Sequence, residues 1–78
     1  MSDTTKRRSG ILVLHKTLDI LETIRETRSG LGLSDLARGI GLPKPTAYRI
    51  IATLEGRGYL SRNSDGHYQM TRKLLKMI

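Results

Sequence analysis

The sequence contains no cysteine, phenylalanine or tryptophan, and its aromatic residues are three tyrosines. Without cysteine, a disulfide-stapled extracellular scaffold, a thiolate zinc site and a cysteine nucleophile are excluded. The longest apolar run is Ile11–Leu14, which is far too short for a membrane span or for the core of a secretion signal. We therefore expect a cytoplasmic protein with no membrane partner.

Acidic residues are scarce, and the chain is short. Its 78 residues suffice for one small domain and leave no room for a two-domain enzyme. Twelve Leu and seven Ile favour helices over strands. Fourteen Lys and Arg against seven Asp and Glu give a formal charge of +7, most of it in residues 36–78. This charge indicates either a polyanionic partner or an ordinary solvated basic face.

The first half of the sequence predicts two helices. Apolar residues at helical spacing indicate a helix over about 12–27. Its stripe consists of Leu14, Leu18, Leu21 and Ile24, widened by Ile20. Ser34 is a good N-cap for a short second helix over 35–40. Gly41 is expected to end that helix because a residue without a β-carbon can adopt the left-handed conformation.

The second half predicts a third helix and a β-hairpin. Pro45 suits a first helical turn, so we expect a helix over roughly 44–57. Its apolar face consists of Ala47, Ile50, Ile51 and Leu54. Short strands at 59–62 and 67–70 flank the turn-forming residues Asn63–Gly66. Thr71 is expected to cap a final helix.

These elements predict a mainly α fold with a small β-hairpin, a winged helix-turn-helix with a three-helix core. We divide the chain into a flexible basic arm (1–10), the winged helix-turn-helix domain (11–71) and the start of a truncated linker helix (72–78). The predicted core consists of Leu18, Leu21, Leu36, Ala47, Ile50, Ile51, Leu54, Leu60 and Tyr68.

The third helix has side chains that are suited to binding DNA. In a helix-turn-helix the second helix of the pair enters the major groove. With the apolar face turned inward, Arg49 points outward, where its planar fork can bind O6 and N7 of guanine. Lys44 at the helix start suits a phosphate, and the first ten positions lack the carboxylates that phosphates would repel.

Several runs of the sequence resemble the DNA-binding domain of IclR-type bacterial transcriptional regulators. The resemblance covers about residues 13–75. It rests on Leu18-Asp19-Ile20-Leu21, Leu36-Ala37, Gly41-Leu42-Pro43-Lys44, Thr46, Arg49, Ala52-Thr53-Leu54-Glu55 and Arg57-Gly58-Tyr59-Leu60. It implies a winged helix-turn-helix that binds operator DNA as part of a homodimer. It further implies a small-molecule effector that is bound only by a C-terminal domain missing from this chain. At Pro45 the sequence departs from the family, whose members commonly have Ser there.

Further candidate contacts flank the third helix, the wing and the arm. Thr46, Tyr48 and Thr53 lie beside the outward face, although a tyrosine there could instead pack on the first helix. Ser34 combines a capping role with a helix start whose amides could hold a phosphate. The remaining candidates for backbone or minor-groove contact are Arg62, His67, Arg7 and Arg8. Their alternatives are a solvated hairpin and a disordered basic tail.

The function we predict is sequence-specific binding of duplex DNA, with helix 44–57 in the major groove and wing 62–67 on the backbone or minor groove. A winged-helix module that docks the same helix on an acidic protein is the alternative, and an RNA-binding winged helix is a third. No enzymatic activity, cofactor or metal is expected. Ser61, Asp65 and His67 are triad residue types on a hairpin, which cannot hold a base oriented by a buried acid.

Overall fold

The computed structural model describes residues 11–77. Within this range the chain forms four helices and one two-stranded antiparallel sheet. In chain order these are α1 (Leu12–Arg25), α2 (Leu33–Ile40), α3 (Lys44–Gly56), β1 (Leu60–Arg62), β2 (Tyr68–Met70) and α4 (Arg72–Leu75). The predicted mainly helical fold with a small hairpin is confirmed.

The turn between α2 and α3 is closed by main-chain hydrogen bonds. Gly41 adopts the left-handed conformation with φ of +79°. The amides of Gly41 and Leu42 both donate to the carbonyl of Ala37 at 2.9 Å, which is the bonding of a glycine-terminated helix end. The direction in which the chain leaves α2 is therefore set by its backbone.

The start of α2 differs from the prediction that Ser34 caps it. The helix begins at Leu33, its N-cap is the extended Gly32, and Ser34 lies exposed in the first turn. No side-chain capping bond forms at this helix start within residues 11–77. Leu33 packs against the core, and the helix begins two residues earlier than predicted because this packing overrides local propensity.

The hairpin pairs with a third segment through one bridge. Leu60, Ser61 and Arg62 lie opposite Met70, Gln69 and Tyr68. Leu31, between α1 and α2, forms an isolated antiparallel bridge with Tyr68. The preceding Gly30 comes so close that a β-carbon there would stand 2.4 Å from the carbonyl oxygen of Tyr68. The wing is therefore fixed to the rest of the domain along the backbone of β2.

The core lies where α1, α2, α3 and the hairpin meet. Its buried residues are Ile20, Ile24, Leu36, Ala37, Ala47, Ile51, Leu60 and Tyr68. Leu21, Ile50 and Leu54 are partly buried and pack against it, so most of the predicted core is confirmed.

The predicted apolar stripe of α1 is confirmed for Ile20, Leu21 and Ile24 but was wrong for Leu14 and Leu18. Leu18 is 47% exposed and Leu14 is 54% exposed, whereas Ile20 is completely buried. Apolar residues surround this helix on several sides, so a stripe can be drawn through more than one set of positions. The packing of α1 against α2 and β2 selects the set that contains Ile20 and Ile24.

None of the helices within residues 11–77 is both long enough and apolar enough to cross a membrane. The predicted basic arm at 1–10, including Arg7 and Arg8, lies outside the described residues, as does Ile78. The proposed division of the chain at residues 10 and 71 stays a prediction.

Candidate nucleic-acid interface

Helix α3 has one buried face and one exposed face. Ala47 and Ile51 are completely buried against the core. Arg49 is exposed on the opposite side, as the helical wheel predicts. Tyr48 is 48% exposed and is not packed away beneath the first helix. The cationic side of this helix is therefore open to a partner.

One flank of the exposed face borders a groove between α3 and α1. The groove has a volume of about 460 Å³ and brings together Thr46, Arg49 and Thr53 of α3 with Thr17 of α1. The hydroxyl of Thr53 donates to the carbonyl of Arg49 at 2.8 Å, which leaves its oxygen able to accept a further bond. Three of the predicted contact residues thus share one surface.

Positive charge and the absence of acid mark the start of α3. Lys44 is the first helical residue and is exposed, and the first turn contains no acidic side chain. The exposed Ser34 lies in the first turn of α2, where the neighbouring Asp35 forms an ion pair with Arg38 at 2.5 Å. This pairing offsets the one carboxylate of that helix turn, so an anion near it meets little repulsion.

The two wing candidates contact other parts of the fold. Arg62 ends β1 and contacts Tyr68 of β2 and Glu55 of α3. His67 is half-buried and lies against Gly32, with its Cδ2 atom 3.6 Å from where a β-carbon on that glycine would stand. Its buried Nδ1 atom has no hydrogen-bond partner among the described residues. The structure therefore does not group these side chains with the open face of α3.

Asn63, which the sequence analysis places in the turn of the hairpin, also joins that turn to the segment after α1. The Oδ1 atom of Asn63 accepts from the amides of Asp65 and His67 at 2.9 and 3.0 Å. Its Nδ2 atom donates to the carbonyl of Ser29 at 3.2 Å. Asparagine favours turns of this kind, so its place in the turn could be predicted from the sequence. No sequence pattern indicated its bond to Ser29.

Sequence reasoning missed the residue that joins α1 to the helix-turn-helix. The ammonium group of Lys16 donates to the carbonyl of Ile40 at 3.0 Å. Ile40 is the last residue of α2, where carbonyl groups lack helical partners and a cation is favoured. Lys16 therefore holds α1 against the turn that precedes α3.

The start of α4 is fastened to the segment that follows α3. The hydroxyl of Thr71 donates to the carbonyl of Gly58 at 2.6 Å and accepts from the amide of Leu74, which confirms the predicted cap. The ammonium group of Lys73 donates to the carbonyl of Arg57 at 2.7 Å and lies 4.7 Å from the ring centroid of Tyr59. The segment before the hairpin and the start of α4 after it are therefore held together.

Comparison with known families agrees with this geometry. Residues 13–64 match the model of the IclR helix-turn-helix domain. The glycerol operon regulatory protein of Streptomyces coelicolor is 34% identical over 65 residues, which are 82% of this chain and 26% of that protein. The transcriptional regulator KdgR of Dickeya chrysanthemi is 26% identical over 78 residues, which are 99% of this chain and 25% of that protein.

Solved structures give the same relationship. An IclR family transcriptional regulator from Brucella abortus superposes with a TM-score of 0.76 at 34% identity, over 90% of this chain and 27% of that one. HmgR from Pseudomonas aeruginosa superposes with a TM-score of 0.74 at 26% identity, over 86% of this chain and 28% of that one. The chain thus spans about a quarter of the length of the relatives that it matches.

Proposed function

Because this chain belongs to the IclR helix-turn-helix family of DNA-binding domains, we propose that it recognises a specific duplex sequence by placing α3 in the major groove. The observation that carries this proposal is the division of α3 into two faces. Its buried face holds Ala47 and Ile51 in the core, while Arg49 stands on the open side. A rigid helix with an exposed cation at its centre fits the major groove of B-DNA.

The side chains of α3 take different roles in this proposal. Arg49 contacts base edges, and its guanidinium group selects guanine by binding O6 and N7 together. Lys44 contacts a phosphate at the groove edge. Thr46, Tyr48 and Thr53 contact bases or phosphates on the two flanks, and Ser34 contacts a phosphate from the first turn of α2. His67, Arg7 and Arg8 stay predicted contacts with the DNA backbone or the minor groove.

The first experiment asks which polymer the chain binds. The 78-residue chain is titrated with labelled duplex DNA, single-stranded DNA and duplex RNA at two salt concentrations, and binding is followed by fluorescence anisotropy. We expect duplex DNA to bind with the highest affinity and with a strong salt dependence. Preference for RNA, or no nucleic-acid binding even at low salt, would contradict the proposal. Selection of bound duplexes from a random pool then gives the preferred sequence.

Two variants separate base reading from phosphate contact. Arg49→Ala is expected to cost about 1–3 kcal/mol on the selected duplex and to relax its base preference. Lys44→Ala is expected to weaken binding to all duplexes alike and to reduce the salt slope by about one unit. Equal losses on selected and random duplexes for Arg49→Ala would refute its base-reading role.

We also propose that the DNA-binding unit acts as a homodimer on a two-fold operator, with half-sites spaced by the helical repeat of DNA. A small-molecule effector would be bound by a part of the regulator other than residues 1–78. Sedimentation of the chain with duplexes that contain one or two half-sites measures the stoichiometry directly. Binding of a single copy to the two-site duplex would contradict the dimer proposal.

A further inference from the structure

Arg62 joins three elements at the turn end of the hairpin. Its Nη2 atom donates to the phenol oxygen of Tyr68, and its guanidinium carbon lies 4.8 Å from the centroid of the same ring. Nη2 also lies 3.9 Å from Oε1 of Glu55 in the last turn of α3. Tyr68 is 2% exposed and belongs to the core. One side chain thus links the end of β1, the buried ring of β2 and the recognition helix.

These contacts engage one side of the guanidinium group and its Nη2 atom, while the Arg62 side chain stays 46% exposed. The planar guanidinium group faces an aromatic ring and directs a donor to a hydroxyl, and Tyr68 has its polar end satisfied in this way. Glu55 is the one acidic residue in the sequence of α3. If Arg62 turned away to a phosphate, it would leave Glu55 without this cation and Tyr68 without this donor.

The charge of the turn at the tip of the wing also disfavours contact with phosphate. The turn from Asn63 to Gly66 carries the exposed carboxylate of Asp65 and no basic side chain. Side chains that enter the minor groove are typically Arg or Lys, and a carboxylate is repelled by the phosphates that line it. The cation of this hairpin is Arg62, which lies at the paired position next to the turn and contacts Glu55 of α3, whereas the turn itself carries none.

We propose that Arg62 is a positioning residue for DNA recognition: it sets the angle between the wing and α3 through Tyr68 and Glu55, and it does not bind phosphate. This inference rests on the proposed DNA-binding function and replaces the sequence-based role of Arg62 as a backbone contact. Arg62 and Tyr68 form the last paired position of the hairpin. A link at this position controls the direction of the turn beyond it.

The decisive variant is Glu55→Gln, because electrostatics and positioning predict opposite signs. Removal of a negative charge near DNA strengthens binding when charge alone matters. Under the proposal, loss of the Arg62 partner loosens the wing and weakens binding to the selected duplex, about 3-fold. Glu22→Gln removes the same charge from the exposed side of α1 and serves as the matched control, with no such weakening.

Variants of Arg62 supply a second, independent measurement. Arg62→Gln is expected to weaken binding to the selected duplex about 10-fold and to leave the slope of log Kd against log salt unchanged. Arg62→Lys keeps the charge but cannot stack a planar head group on Tyr68, so it is expected to restore little of the affinity that is lost in Arg62→Gln. Lys44→Gln is the comparison for a true phosphate ligand, whose loss reduces the slope by about 0.9. Circular dichroism melting of each variant ensures that all titrations are made well below its unfolding temperature.

The outcomes are distinct. Weaker binding by Glu55→Gln, an unchanged slope for Arg62→Gln and poor rescue by Arg62→Lys would support the proposal. Tighter binding by Glu55→Gln, or a shallower slope for Arg62→Gln with rescue by Arg62→Lys, would overturn it while leaving the DNA-binding function intact. Unchanged affinities in folded variants would reduce Arg62 to a stability role and overturn it as well. If the parent chain bound no duplex, the proposed function itself would fail, and this inference with it.

Discussion

Substitution of Gly30 by alanine tests how firmly the wing is attached to the domain. Gly30 has φ of +78°, and an added β-carbon would meet the carbonyl oxygen of Tyr68 at 2.4 Å and Cγ of Gln69 at 3.0 Å. Gly41 has the same conformation, with φ of +79°, but its added β-carbon meets no atom within 4 Å. The two sites therefore share the backbone strain and differ in the collision.

The expected losses follow from this comparison. An alanine in the left-handed conformation costs about 1–2 kcal/mol, and this is the whole effect expected for Gly41→Ala. Gly30→Ala must in addition push β2 away from Leu31. The bridge that would open consists of the Tyr68 amide bonded to the Leu31 carbonyl at 2.8 Å and the reverse bond at 3.4 Å. At about 0.5–1.5 kcal/mol for each bond, the loss for Gly30→Ala rises to about 2–5 kcal/mol.

Urea unfolding followed by circular dichroism measures both losses. In a domain of this size, 1 kcal/mol corresponds to about 4–8 °C in Tm, so the difference is also visible by thermal melting. Gly39→Ala is the control: Gly39 lies in α2 with open space around it, and we expect it to stabilise the protein by up to about 1 kcal/mol. Equal losses at positions 30 and 41 would refute the close approach of the two backbones.

Four further substitutions test other parts of the structure. Ile20→Ala is expected to lower the free energy of unfolding by about 2–5 kcal/mol, and the change at the half-exposed Leu18, Leu18→Ala, by less than about 1 kcal/mol, as measured by urea unfolding. A larger loss for Leu18→Ala than for Ile20→Ala would show that Leu18 lies in the core. Lys16→Met is expected to cost about 1 kcal/mol because the carbonyl of Ile40 loses its donor, and an unchanged stability would remove that role. Asn63→Ala is expected to accelerate hydrogen exchange at the amide of His67, and unchanged exchange would show that Oδ1 of Asn63 does not hold the turn.

Sequence patterns predicted the parts of the fold that are decided locally. The end of α2 at Gly41 and the cap at Thr71 depend on residues within a few positions, and both agree with the structure. The outward direction of Arg49 follows from the apolar spacing of a single helix in the same way. Such features depend on the geometry of a single helix or helix end, so they can be predicted from the local sequence.

Features that depend on tertiary packing could not be predicted from the sequence. The start of α2 moved from Ser34 to Gly32 because Leu33 is drawn against the core. Leu14 and Leu18 were wrongly assigned to the buried stripe of α1 because only the packing of this helix against α2 and β2 decides which of its apolar residues are buried. The contact of Lys16 with Ile40 joins residues 24 positions apart, and the contact of Arg62 with Glu55 joins two different elements, so no pattern within one element predicts either of them. Tertiary context, which overrides propensity, is absent from a pattern of residue types.

The main-chain closure of the turn after α2 has a consequence for how this domain can change its target. Since Gly41 and Leu42 fix the course of the chain with backbone atoms, the closure of this turn does not depend on the outward side chains of α3. Arg49 and its exposed neighbours can be exchanged as a set for those of another regulator while the scaffold stays as it is. Under the proposed function, new operator preferences can therefore arise at a few solvent-facing positions of α3 while the turn that orients the helix stays the same.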